Sequence, residues 1–162
     1  MADESILKKA RGRALRYLGY RPRTGKELAD YLRKGGYEEQ VIAAIMKEMM
    51  EYGYIDDRRF ADDYIRSSKL RGIGLRRAVN ELKRKGIARS ITEECLKLYD
   101  AQEEEAQAKA LVEKKIRNRR GGLDRKAAAN LGAYLYRRGF RSDVIRHVLR
   151  ECLEQETLDE LS

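Results

Sequence analysis

The chain has no tryptophan, one proline, one histidine and two cysteines among 162 residues. Each scarcity closes off a class of structure or chemistry. A near-absence of proline, with no alternating β-branched run and 39% charged residues, points to an all-α protein. No apolar run exceeds a few residues, so nothing reads as a membrane span, and the opening MADESILKK lacks the apolar stretch of a signal peptide. Cys95 and Cys152 both fall on apolar stripes and read as small core residues, so a cytoplasmic location is expected. The lone His147 lies off its helix's apolar stripe and has no sequence partner suited to acid–base work or zinc.

Catalytic signals are equally thin. Gly25-Lys26 lacks the following Ser or Thr, the earlier glycine and the preceding strand of a nucleotide loop. Asp56-Asp57 and Asp62-Asp63 could suggest a metal, yet adjacent acids do not share a helix face, and capping accounts for the first pair. No nucleophile, base and orienting group cluster anywhere. Neither an enzyme nor a cofactor nor a metal is expected.

Positive charge, by contrast, is abundant. The formal net charge is +9; five acids and no base follow Arg150, which leaves +14 on residues 1–150. A body that basic is drawn to polyanions, nucleic acid or a protein coated on it, unless the charge serves only solubility.

The chain also repeats itself. Setting Gly86 over Gly36 and Gly139 aligns three copies, 50 and 53 residues apart. Leu32, Leu82 and Leu135 stand four residues before the glycine; Tyr37, Ile87 and Phe140 stand one after it. Further on the copies read Val41, Ile45, Met46, Met49; then Ile91, Cys95, Leu96, Tyr99; then Val144, Val148, Leu149, Cys152. Both flanks carry helical spacing, and a glycine between helices supplies the left-handed conformation that closes the first. Each period has room for a third helix. The spacing therefore predicts three tandem three-helix repeats in an elongated, curved array: residues 1–53, 54–101 and 102–155, then an acidic tail, 156–162, with little to bury beyond Leu153 and expected to fray.

Local signals fit that plan. Asp3-Glu4-Ser5 suits a helix start, Thr24 with Glu27 fits a capping box, and residues 102–119 read as one helix, acidic first and basic last. Five tyrosines (Tyr17, Tyr31, Tyr64, Tyr99, Tyr134) could stack on bases but sit at core-compatible spacings, so burial is the expectation.

Between the first two repeats lies Gly53-Tyr54-Ile55-Asp56-Asp57, completed by Phe60-Ala61. That run, with the Lys85-Gly86-Ile87 turn, Glu81-Leu82 and the threefold repeat, resembles the RecX family of bacterial recombinase regulators over nearly the whole chain. The third repeat departs most, with Gly139-Phe140 at the turn and a longer Arg117-to-Leu123 loop. The resemblance implies a protein, monomeric in expectation, that lodges in the groove of the RecA filament on single-stranded DNA. It implies restraint of strand exchange, ATP hydrolysis and co-protease activity.

Two sets of cations compete for such a role. Arg33-Lys34, Lys83-Arg84-Lys85 and Arg137-Arg138 precede the aligned glycines, where free carbonyls explain them. Arg21 and Arg23, then Arg71, Arg76 and Arg77, then Arg119, Arg120, Arg125 and Lys126 instead recur at the loop before the second helix and at its start. A helix start repels cations, at up to about 1 kcal/mol each, unless an anion sits there. Arg71-Gly72-Ile73-Gly74 and Arg120-Gly121-Gly122 would let such an anion approach the backbone closely. The binding candidates are Arg71, Arg76 and Arg77, flanked by Arg21, Arg23, Arg125 and Lys126; the competing reading is a solvated cluster screened by salt. A stand-alone helix-turn-helix-like DNA-binding protein is the alternative, disfavoured because the third helices are acidic or apolar.

Overall fold

The computed structural model describes residues 3–98 and 100–162; Tyr99, placed above on an apolar stripe, lies outside the described residues. Among the described residues there are nine helices and no strand. The first repeat supplies α1 (Glu4–Tyr20), α2 (Gly25–Lys34) and α3 (Glu39–Glu51). The second supplies α4 (Asp57–Leu70), α5 (Leu75–Arg84) and α6 (Arg89–Lys97), and the third α7 (Ala101–Arg117), α8 (Arg125–Arg138) and α9 (Ser142–Leu161). None of them is long and apolar enough to cross a membrane.

The helix starts follow from local chemistry. Side-chain oxygens of Asp3, Thr24, Asp56, Asp100 and Asp124 accept from the free amides of the first turn. At α2 the capping box is complete, with Thr24 N–H donating to Glu27 Oε1 at 3.3 Å and Glu27 N–H donating to Thr24 Oγ1 at 3.1 Å.

The repeat's signature closes each second helix. Gly36, Gly86 and Gly139 have φ of 85°, 87° and 97°. The residue after each glycine donates back to the leucine carbonyl five positions earlier: Tyr37 to Leu32 at 3.3 Å, Ile87 to Leu82 at 3.1 Å, Phe140 to Leu135 at 3.1 Å. This is the Schellman closure, in which the same two residues also make the apolar contact across the turn. The leucines and Phe140 are fully buried. Burying side chains of this size stabilises by about 1.5–3 kcal/mol each.

By contact density the chain forms two compact units, one of residues up to Asp63 with Glu81–Cys95, the other of Tyr64–Asn80 with Leu96–Ser162. In the first, α1, α2 and α3 pack mutually around Ala10, Ala14, Leu28, Leu32, Ile45 and Met49. In the second, α7 and α8 pack on α9 around Val112, Leu131, Leu135, Phe140, Val144 and Val148. Cys95 and Cys152 are buried and free, and burial, first among the causes, pushes both thiols above their usual range.

One expectation is corrected. The segment beyond Leu153 does not fray: α9 runs on through Leu161. Leu158 and Leu161 are exposed, so apolar burial is not what holds it. Glu156 Oε1 instead accepts the Leu123 N–H at 2.7 Å, tying the end of α9 to the loop before α8.

Candidate functional site

The site read from the sequence is the loop and first turn of each second helix. In the first unit this is Arg21 to Glu27. Arg21 Nη2 donates to Glu27 Oε2 at 2.7 Å, and Arg23 Nη1 lies 3.9 Å from the same oxygen. The Arg23 guanidinium sits 3.9 Å over the Tyr17 ring, which stacks on Tyr31 at 4.0 Å, so these two tyrosines are half-buried partners of one another. Burial would raise the Glu27 carboxyl, but hydrogen bonds from Arg21 and the Thr24 amide, with the charges of Arg21 and Lys85, hold it below the usual carboxylate range. The cation at the helix start is thus compensated by the same glutamate that closes the capping box.

Thr24 has a second partner. Its Oγ1 donates to Lys85 O at 2.6 Å, and a Cβ on Gly86 would fall 2.3 Å from Lys26 Cβ. The glycine turn of the second repeat therefore seats on the start of α2.

The second unit repeats that contact one module on. Gly74, which aligns with Thr24, donates its N–H to Arg138 O at 2.8 Å. A Cβ on Gly74 would fall 2.3 Å from the Gly139 carbonyl carbon, and one on Gly139 only 2.1 Å from Arg77 Cβ. Arg138 donates Nε to Gly72 O at 3.0 Å and a second guanidinium N–H to Arg71 O. Arg76 Nη2 donates to Tyr136 O at 2.5 Å, with its guanidinium 4.3 Å over the Tyr136 ring.

These contacts change the physical reading of the arginines. The last carbonyls of α8 end on the first residues of α5, so the negative end of one helix dipole meets the positive end of another and the cation between them. A carbonyl and a ring face of Tyr136 position Arg76, while its buried Nε has no hydrogen-bond partner among the described residues. The close approach that glycine permits at Arg71-Gly72-Ile73-Gly74 is taken by the chain's own turn, and Gly122 faces the Glu156 carboxylate. Arg138, explained from the sequence by its own helix end, serves the neighbouring loop instead. Partners 60 or more residues away leave no local signal in the sequence.

The remaining candidates stand at the surface. Arg71 is exposed, 5.9 Å from the Tyr64 ring, and Arg77 is exposed. Arg125 and Lys126, in the first turn of α8, are exposed and have no ion pair or hydrogen bond among the described residues. At the start of α8 the nearby partner is Glu156, whose carboxylate accepts the Leu123 N–H.

Other singled-out residues resolve structurally. Asp56 accepts from Arg59 N–H at 3.0 Å and Asp57 from Gly25 N–H at 2.9 Å. His147 does have partners, with Nε2 at 3.2 Å from Glu151 and 3.6 Å from Glu105, an exposed ion pair when protonated. No group of residues suited to a metal ion occurs among the described residues.

Known proteins resemble this chain in sequence and fold. Models of the first, second and third three-helix domains of RecX match residues 10–49, 56–96 and 102–149. The regulatory protein RecX of Geobacillus sp. strain WCH70 is 37% identical over 151 residues, covering 91% of this chain and 54% of the relative, so the chain spans about half that relative's length. The regulatory protein RecX of Streptomyces lividans is 34% identical over 155 residues, covering 94% of this chain and 82% of the relative. The crystal structure of RecX from Lactobacillus salivarius superposes with a TM-score of 0.82 at 27% identity, over 93% of this chain and 98% of that one. Matches to all three RecX three-helix domains, with relatives this similar, place the chain in the RecX family of regulatory proteins.

Proposed function

We propose that this protein is a negative regulator of the RecA recombinase, binding the groove of the RecA filament on single-stranded DNA. In that position it restrains recombinase, ATPase and co-protease activity without chemistry of its own. The observation that carries the reading is the match of all three repeats to the RecX domains. The basic surface supports it, since an acidic filament attracts such a body over several ångströms.

Each repeat makes a weak contact, and covalent linkage raises the sum. Bridging neighbouring subunits then blocks addition at the growing end or favours disassembly. The proposed contact residues are Arg71, Arg76 and Arg77 with Arg21, Arg23, Arg125 and Lys126. Among these, Arg71, Arg125 and Lys126 are exposed with no carboxylate partner among the described residues, while Arg21, Arg23 and Arg76 are held by Glu27, Tyr17 and the end of α8.

Charge reversal tests this. Arg125→Glu with Lys126→Glu, and separately Arg71→Glu with Arg77→Glu, are expected to relieve inhibition of the single-stranded-DNA-dependent ATPase of RecA while leaving helicity intact. Full inhibition by both variants removes the assignment of these residues. Co-sedimentation with preassembled filaments, against bare single-stranded DNA, separates filament binding from DNA binding alone; equal retention by bare DNA favours the stand-alone DNA-binding protein.

A further inference from the structure

The second unit contains a cleft that the reading above does not use. It has a volume of about 930 Å³ and lies between the end of α4 with its following loop, one face of α7, and α8. That volume is in the range of sites that take several side chains. Its floor is aliphatic, formed by Ala110, Leu111 and Leu70, the last 86% exposed at the end of α4. A leucine that open beside a concave surface is poised for an apolar group from outside.

The rim is cationic. Arg71, Lys114 and Lys115 line it, and the Lys114 side chain has no ion pair or hydrogen bond among the described residues. The Lys115 ammonium stands 4.4 Å from the Tyr134 ring, and Arg138 is held by the Gly72 and Arg71 carbonyls. Ring faces and neutral carbonyls orient these cations without cancelling their charge. Among the described residues, Lys69 is the one cation of this rim with a carboxylate partner, Glu103 at 3.0 Å.

From this pairing of an aliphatic floor with an uncompensated cationic rim we infer that the cleft docks an acidic peptide segment of a protein partner, one that inserts a leucine-class side chain against Leu70 and Leu111. Nucleic acid fits less well. Single strands gain their affinity from stacking bases on open aromatic faces, and the one ring here, Tyr134, is already covered by Lys115. Phosphates need the rim but have no use for the floor, whereas a carboxylate-bearing, leucine-bearing peptide uses both. This inference does not rest on the filament reading, because its evidence is the chemistry of the cleft alone.

Fluorescence anisotropy of the full chain with a labelled short peptide of glutamates and leucines tests it. The controls are the same peptide with serine for leucine and a labelled thymidine oligonucleotide. The expected result is binding of the leucine peptide, weakened about tenfold or more by the serine peptide, by Leu70→Ser and by Lys114→Glu. Leu70 and Lys114 are both exposed, so neither substitution disturbs a core, and a circular dichroism spectrum checks the fold. Equal affinity for the two peptides, or insensitivity to Leu70→Ser, overturns the inference. So does an oligonucleotide that binds more tightly than the leucine peptide and loses affinity in Lys114→Glu, which would make the cleft a nucleic-acid site. Sedimentation of the free chain as a dimer that Leu70→Ser dissolves would assign the cleft to a second copy and likewise overturn it.

Discussion

The Leu123 amide donates to Glu156 Oε1 across 2.7 Å, which sets the acidic end of α9 on the loop before α8. Glu156→Ala is expected to destabilise by about 1–3 kcal/mol, the cost of leaving a part-buried amide without its acceptor. Glu156→Gln, which keeps an acceptor, should lose less. Hydrogen exchange at the Leu123 amide is the direct readout. Unchanged protection in Glu156→Ala would show that the bond does not hold the tail.

The aligned glycines are predicted to differ in cost although their backbone angles are alike. Gly36 at φ 85° has open space where a Cβ would go, so Gly36→Ala should cost only the left-handed penalty, about 1–2 kcal/mol. Gly139 at φ 97° would press a Cβ to 2.1 Å from Arg77 Cβ, adding an overpacking cost of about 1–3 kcal/mol to the same penalty. Gly74→Ala, with no left-handed angle, isolates the steric part against the Gly139 backbone. Urea midpoints for the three variants should rank Gly36→Ala as the mildest. Equal losses at Gly36 and Gly139 would mean that the turn does not seat on α5.

What the sequence could and could not reveal follows from range. The Leu–Gly–aromatic or Leu–Gly–Ile pattern at Leu32, Gly36 and Tyr37 was legible because one turn writes all of it: the left-handed glycine, the closing hydrogen bond and the apolar pair are neighbours in the chain. The Thr24–Glu27 capping box was legible for the same reason. For Arg21 and Arg76 the structure supplies partners within the chain that the sequence did not show. For Arg21 the charge is offset by Glu27, already assigned to the cap, and Arg76 is positioned by a hydrogen bond to the neutral Tyr136 carbonyl, 60 residues on. In the tail, the sequence reads as having little to bury beyond Leu153, and Leu158 and Leu161 are indeed exposed, yet the stabilising contact is a single long-range carboxylate. Periodicity reports faces, not individual polar partners.

The two thiols give a prediction about access. Burial raises both, and the charges of Asp62 near Cys95 and Glu113 near Cys152 act in the same direction, so little thiolate forms at neutral pH. A thiol reagent should therefore modify both cysteines slowly in the native protein and rapidly in denaturant. Cys95→Ser places a hydroxyl in an apolar site and should cost about 1–3 kcal/mol. Rapid native-state labelling of either residue would contradict its place in the core.

Acid should act on the first unit through its paired carboxylates. Arg11 donates Nε and Nη2 to Glu48 at 2.7 and 2.8 Å, and this hydrogen bonding, with the Arg11 charge and against a smaller effect of burial, holds the Glu48 carboxyl below its ordinary value of 4.5. Glu27 is depressed in the same sense. A carboxyl whose folded value lies below its unfolded one binds fewer protons when folded, so its contribution is fully present above about pH 4.5. As the pH falls through the depressed folded value, that contribution disappears. The stability difference between the wild-type chain and Arg11→Ala should accordingly be constant from neutral pH down to about 4.5 and then shrink toward zero. Urea titrations at a series of pH values read this directly. A difference that grew on acidification would mean that Glu48 is favoured in its protonated form, and the ion pair would lose its assigned role. High salt should leave most of the difference in place, because the two-point geometry survives screening better than a single exposed contact does.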